Sequence, residues 1–221
     1  MANILTKSDI TAYAPELDLS KYSDATISGM LSQATQRAAA LANVDGFDLE
    51  TVTNETDWAR ISNNGELQIS VRRRPIVSVT SVNLIKGGFS TSLTLTDSSG
   101  NALYQIPTPS NKFVFPNSFF YLTGSFLAGG SSQLYTLRGA RVMYQMTYVG
   151  GYMTPPDDLK FAVQLLFRDI FSKQFNTQQL ASFTQGSYSE SYGGRMADGL
   201  SALEKQAKNI LMQGGYTRME F

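Results

Sequence analysis

The side chains that most often do chemistry near neutral pH are missing from this chain. Its 221 residues include no His and no Cys. That removes the commonest general base, the commonest metal ligand, the thiolate nucleophile and any Cys-based zinc site. Catalysis would therefore fall to carboxylates, Lys, Tyr or Ser. The most suggestive acidic pair is Asp157-Asp158. Adjacent residues on a helix point in different directions, so this pair is a poor chelate. Both fit better in the first turn of a helix, at the positive end of its dipole. Glu16 and Asp18, beside Pro15, are expected as surface carboxylates. Gly87-Gly88, Gly129-Gly130 and Gly150-Gly151 lack the following Lys-Ser or Lys-Thr of a phosphate-cradling loop and are expected as turns. No catalytic residue, cofactor site or metal site is assigned, and the chain is not expected to be an enzyme.

Two further features invite a ligand. Arg72-Arg73-Arg74 is a basic run, and strand alternation is expected to send Arg72 and Arg74 outward together. There they would touch phosphate, a carboxylate on a neighbouring subunit, or only solvent. Three arginines are too few to define a nucleic-acid patch. The 18 basic residues are matched by 18 acidic ones, whereas a protein that grips nucleic acid usually has a basic excess. Passage of DNA through a neutral channel remains compatible with this balance. Trp58, the single tryptophan, is expected as a core residue or an interface anchor. Charged residues make up 16% of the chain, below the usual quarter or so. Contact with other subunits, or a surface rich in Ser, Thr, Asn and Gln, would account for that.

The elements that position these residues follow from periodicity. Thr6 with Asp9 three residues on reads as a capping box for a short helix over 6–14, which Pro15 ends. A second helix is expected over 24–43, capped by Ser23 or Asp24, with Ile27, Met30, Leu31, Ala34, Ala38 and Leu41 on one face. From 47 to 149 short β-branched and aromatic runs broken by Gly, Ser, Thr and Asn read as antiparallel sheet. Leu67, Ile69 and Val71 alternate with polar residues. The run from Pro75 to Ile85 changes phase between Val79 and Val82, which predicts a bulge near Thr80. Residues 97–101 read as a turn, and Val142, Tyr144, Met146 and Tyr148 give the clearest strand. The aromatic stretch 107–139 is left as a long hairpin or a loop ordered against a neighbour. A helix over 156–175 has Leu159, Val163, Leu166, Ile170 and Phe171 as its stripe, with Pro156 in its first turn. Residues 176–195 are expected to be extended. A last helix over 197–212 turns Leu200, Leu203, Ala207, Ile210 and Leu211 inward and stops at Gly214-Gly215.

The expected class is α+β: a helical core made of an N-terminal helix pair, a long central helix and a C-terminal helix, with a large inserted antiparallel β-domain. The expected divisions are 1–46 and 150–221 for the core and 47–149 for the insertion. With 42% hydrophobic residues the chain can bury a conventional core without disulfides. The N-terminus shows no basic segment followed by an apolar run, so no secretory signal is expected. No apolar stretch reaches eighteen residues, so no membrane span is expected either.

Taken in order, four segments resemble the head-to-tail connector family of tailed bacteriophages, also called adaptor or head-completion proteins. They are the helical pair with Ile27-Ser28-Gly29-Met30-Leu31-Ser32-Gln33-Ala34; Trp58, then Gly65-Glu66-Leu67-Gln68-Ile69 and Arg74-Pro75-Ile76-Val77-Ser78-Val79-Thr80-Ser81-Val82; Thr147-Tyr148-Val149-Gly150-Gly151-Tyr152 with Pro155-Pro156-Asp157-Asp158-Leu159-Lys160; and Gly186-Ser187-Tyr188-Ser189-Glu190-Ser191 before the last helix. The resemblance spans about residues 20–215, while 86–140 matches nothing in the pattern.

The resemblance implies a virion structural protein at the head–tail junction, made in the host cytoplasm. It implies a homo-oligomeric, dodecameric ring that binds the portal protein, extends the DNA channel and offers a platform to tail or stopper proteins. DNA would pass through without sequence-specific binding. It also implies a C-terminal segment that reaches along the portal, which makes Tyr216, Arg218, Met219 and Phe221 the expected docking tail. Arg72, Arg74, Tyr188 and Tyr192 are the expected inter-subunit contacts. Another phage tail-assembly protein, such as a tail terminator or baseplate module, is the alternative. A carboxylate-dependent hydrolase is the distant one.

Overall fold

The structure is a computed structural model that describes residues 3–62, 65–86, 89–107, 112–116, 141–175, 182–185, 188–191 and 200–218. The chain divides into a helical unit, Met1–Asp48 with Met153–Thr217, and a β unit, Leu49–Tyr152 with Arg218–Phe221. The class is α+β, with the antiparallel β unit inserted between two halves of the helical one.

In the helical unit, α1 (Lys7–Tyr13) opens on the expected capping box. The Thr6 hydroxyl accepts from the Asp9 N–H, and the Asp9 carboxylate accepts from the Thr6 N–H at 2.7 Å. A short 3₁₀ turn (Leu19–Lys21) leads to α2 (Asp24–Ala42), capped by Ser23 and closed by Asn43 in the left-handed region. Helix α3 (Asp157–Phe175) begins one residue after Pro156, whose carbonyl accepts from the Lys160 N–H. Helix α4 (Ala202–Gln213) packs on α3, and both touch α2. The buried residues of α2 are Ile27, Met30, Leu31, Ala34, Thr35, Ala38, Ala39 and Ala42, and Leu41 is only half-buried. The inward stripe thus ends on alanines, which let neighbouring helices approach closely. On α3 Leu159, Val163, Leu166 and Phe171 are buried as expected, and so are Gln164 and Asp169. Ile170 is half-buried.

Helix α4 starts later than the apolar pattern suggested. Its N-cap is Ser201, in a second capping box with Glu204. Leu200 therefore precedes the helix, and the inward residues are Leu203, Ala207 and Leu211. Polar contacts join the helices where the stripes end. Arg37 of α2 meets Glu204 of α4 at 3.0 Å, and Arg168 of α3 meets Glu16 at 2.9 Å. Residues 182–185 and 188–191 pair as a two-stranded antiparallel ribbon, β7 and β8. Among the described residues no helix is long and apolar enough to cross a membrane.

The β unit is built from β1 (Glu50–Ile61), β2 (Leu67–Ile69), β3 (Ile76–Lys86), β4 (Phe89–Ser92), β5 (Phe113–Phe115) and β6 (Arg141–Gly150). Among the described residues they form one antiparallel sheet in the order β4-β3-β6-β1-β2-β5. Strand β6 is the template. Its even-numbered residues Val142, Tyr144, Met146 and Tyr148 are all buried, as strand alternation requires.

Strand β3 does not share that period of two, and bulges reconcile the pair. Ile76 lies opposite Gly150, Val79 opposite Tyr148, Val82 opposite Met146 and Leu84 opposite Tyr144, with register shifts between Ile76 and Ser78 and between Val79 and Ser81. One extra residue at each shift turns a spacing of three along β3 into a spacing of two across the sheet. The second shift falls at Thr80, as the phase slip predicted. The first exposes Val77, at 58%. A third irregularity, between Val52 and Glu55 on β1, includes Asn54 at φ 55°. It rotates Glu55 onto the core side. Phe113 and Phe115 of β5 are fully buried opposite Ile69 and Leu67, and each such side chain contributes about 1.5–3 kcal/mol of burial. The turn at 97–101 is also as expected: the Asp97 carboxylate accepts from the Ser99 and Asn101 N–H groups, and Gly100 has a positive φ.

Candidate functional site: a carboxylate knot in the β unit

The best-organised polar cluster among the described residues is in the β unit, centred on Glu55. The bulge in β1 aims Glu55 inward, where it is 8% exposed. Inward alternation on β6 brings Tyr144 and Tyr148 to meet it. Their hydroxyls donate to Glu55 Oε1 at 2.8 Å and Oε2 at 2.6 Å. The Arg72 N–H donates to the same carboxylate at 3.1 Å. The Tyr148 oxygen in turn accepts from the Arg73 N–H at 3.0 Å. Burial in the first place, and then the neighbouring Glu55 charge, push the Tyr144 phenol well above its ordinary value. It therefore stays protonated and keeps the hydrogen that it donates to Glu55.

The arginine run wraps this centre, and it does not alternate as expected. Arg74 is 3% exposed and Arg73 8%, while the Arg72 side chain is 45% exposed. Arg72 and Arg74 therefore do not point outward together. Strand β2 ends at Ile69 and β3 begins at Ile76, so the run lies in a bend where the two-residue period does not hold. The Arg74 guanidinium turns back onto its own bend, donating to the Val71 carbonyl at 3.2 Å and to the Ser70 hydroxyl. Burial first, and then the Arg218 charge, lower its pKa to about 10, so it stays charged at neutral pH. Arg73 pairs with Glu50 at 2.6 Å. Gly150 makes the close approach possible, because a Cβ there would lie 2.6 Å from the Arg73 carbonyl oxygen.

Asp57, next inward on β1, receives two arginines on one oxygen. Arg218 reaches its Oδ2 at 2.5 Å and Arg72 reaches it at 3.3 Å, while Oδ1 accepts from the Trp58 N–H at 2.8 Å. Burial raises the Asp57 pKa, but the Arg218 hydrogen bond, the Trp58 N–H, the Arg218 charge and the Arg72 hydrogen bond outweigh it and hold the carboxyl below its ordinary value.

Two of the four residues of the expected docking tail are held by contacts within the chain. Tyr216 does not project. It is 5% exposed, edge-on to Phe47 at 6.5 Å, and its hydroxyl donates to Asp158. A large ring with an adjacent carboxylate to satisfy its hydroxyl gains more by burial within the helical unit than by exposure. Arg218 is held by Asp57 and by the Ser70 carbonyl at 3.3 Å. Met219, Phe221 and Tyr192 lie outside the described residues. Tyr188 is in β8, opposite Gln185, and its side chain also lies outside them. Asp157 and Asp158 are in the first turn of α3, with Asp157 on Lys160 and Asp158 under Tyr216. Trp58 is 49% exposed, on the sheet face opposite the core, so its core reading is corrected.

Chemically the knot is closed. Both Glu55 oxygens are occupied by donors. Among the described residues no group of three acidic side chains converges to hold a metal. What the arrangement does is fix β1, β6 and the Arg72–Pro75 bend to one another. Sequence reasoning missed Glu55, Asp57, Tyr144 and Tyr148 as a set. The available signal was two tyrosines at inward positions of β6, which need a buried acceptor.

No protein-family model matches the chain, and none of the curated proteins matches it. Among solved structures, the chain is similar to one described as the neck of an empty GTA particle computed with C6 symmetry. The match has 15% sequence identity and a TM-score of 0.42, and covers 94% of this chain and 92% of that one.

Proposed function

We propose that this chain is a virion structural protein, a subunit of the ring that connects head to tail in a tailed phage. The observation that carries the reading is the order of its parts. A helix pair, a β insertion with Trp58 in its first strand and Arg74-Pro75 leading into its third, and a long helix opened by Pro155-Pro156-Asp157-Asp158 follow one another as in the connector family. In that role the protein binds the portal, extends the DNA channel and carries the tail or stopper proteins. Its balanced charge suits a channel that must let DNA slide. Arg72, Tyr188 and Tyr192 are proposed contacts with neighbouring subunits, and Met219 and Phe221 are proposed to reach the portal from the Arg218 anchor. The knot supports a structural reading in a second way: its one deeply buried acid is spent on holding strands.

The test is deletion of the gene from the phage that encodes it, with electron microscopy of the lysate. Heads that leak DNA, with free tails alongside, are expected. Filled heads carrying malformed tails would transfer the protein to tail assembly. Normal infectious particles would overturn the structural reading.

A further inference from the structure

The outer face of the sheet carries an arrangement that the described residues of its own unit do not satisfy. Arg60 on β1 lies directly opposite Arg141 on β6, and both are exposed. Like charges facing each other across a strand pair are destabilising. Among the described residues neither has an ion pair or a side-chain hydrogen bond. Two residues along, on the same face, Trp58 lies opposite Met143, and Met143 opposite Ile85. Trp58 is 49% exposed and the other two are half-buried. The face thus shows a cationic row and, about 7 Å from it, an apolar row spanning three strands.

The complementary pattern is present on the chain itself. On α3 the Asp157 side chain is 88% exposed and Phe161, one turn on, is 44% exposed. Positions four apart lie on one helix face, separated by about 6 Å along the axis. A carboxylate and a ring at that spacing match the arginine row and the tryptophan row. The contact of Asp157 with Lys160 is an exposed i,i+3 pair, of a kind that exchanges partners at little cost.

The geometry points to a contact between copies of this chain: the Asp157–Phe161 face of α3 in one copy docks on the Arg60–Arg141 and Trp58–Met143–Ile85 face of the next. The two patches differ, so the contact is heterologous, the kind that closes a ring or extends a filament. This deepens the proposed function and rests on it for the expectation of an oligomer.

The chain has no Cys, so single-cysteine variants report cleanly. Gln145→Cys, beside Met143 on the same face, and Lys160→Cys, beside Phe161, leave both rings in place; the two proteins, mixed under mild oxidation, should give a disulfide-linked pair of chains far more abundant than in either variant alone. Adding Arg60→Glu and Arg141→Glu to the first variant should reduce that yield by roughly tenfold or more. Adding Asp157→Lys to the second should restore it. Circular dichroism of each variant checks that it is folded. Folded variants that form no mixed disulfide up to their solubility limit, or a yield indifferent to charge reversal, would overturn the contact. The gene deletion is read separately: tailless heads without the mixed disulfide would leave the connector reading standing and remove this surface.

Discussion

Each of the two units is held together internally by different means. The helical unit is organised by local signals. Capping boxes at Thr6–Asp9 and Ser201–Glu204 start helices, and stripes at steps of three and four bury Ile27, Leu31, Leu166 and Leu203. Its charged contacts, such as Arg37–Glu204, sit at the margins. The β unit keeps a carboxylate at its centre, satisfied by two tyrosine hydroxyls and a backbone N–H from residues far apart in sequence. A stripe tolerates a lost methyl group in proportion to the cavity left. A buried polar centre fails more abruptly, because removing the acceptor strands several donors at once.

Two spectroscopic signals separate the units. Trp58, the only tryptophan, reports on the β unit, and far-ultraviolet circular dichroism is dominated by the helices. The largest effect is expected from Glu55→Ala, about 4 kcal/mol of lost stability, read as a lowered urea midpoint in Trp58 fluorescence. Leu166→Ala should cost about 3 kcal/mol and move the helical signal first. If both signals shift together in both variants, the units unfold as one and the contrast between them is broken. Tyr148→Phe removes one donor and the acceptor of the Arg73 N–H, and should cost about 1–2 kcal/mol. Ser201→Ala, which removes a cap, should cost about 1 kcal/mol in the helical signal.

Acid sharpens the comparison further. Asp57 in the β unit is held below its ordinary pKa, and so is Glu204 in the helical unit. For Glu204 burial opposes the shift, and the Ser201 N–H with the Lys173 and Arg37 charges outweigh it. A carboxyl depressed on folding gives stability that is complete above its unfolded pKa, about 4, and is lost as the pH falls through the folded value. Asp57→Asn should therefore flatten the acid limb of the fluorescence midpoint and Glu204→Gln that of the helical signal. An unchanged acid limb in either variant would show that its carboxyl is not linked to folding.

The helices were legible in the sequence because their determinants are close together. Thr6 and Asp9 are three residues apart, and the apolar steps of α2 and α3 repeat within one turn. The late start of α4 was equally local, but the pull of Leu200 into the apolar pattern masked the Ser201-x-x-Glu204 signature. The bulge at Thr80 was legible because β3 carries its own phase slip. The bulge that turns Glu55 inward left no such mark, since Val52, Glu55 and Asp57 show no apolar period to break. The arginine run escapes alternation for a related reason: it lies beyond the end of β2 and before β3. Tyr216 and Arg218 depend on partners far away in sequence, Phe47 and Asp158 for one and Asp57 for the other. Nothing near residue 216 announces them.

The pairing of Glu50 with Gly150 has a consequence for how the molecule is made. The halves of the helical unit that contain α2 and α3 are separated by the whole insertion, Leu49–Tyr152. Joining them across a disordered loop of that length would cost roughly 4 kcal/mol of chain entropy. Once β1 and β6 have zipped, the entry and exit of the insertion are neighbours and the effective loop shrinks to a few residues. A sheet that zips first would then act as a clasp for the helices, having met the cost of closing the loop with its own strand pairing. Amides of β1 and β6 should accordingly gain protection before those of α2 and α3 in pulsed hydrogen exchange during refolding. Helices protected first would mean that they collapse across the open loop.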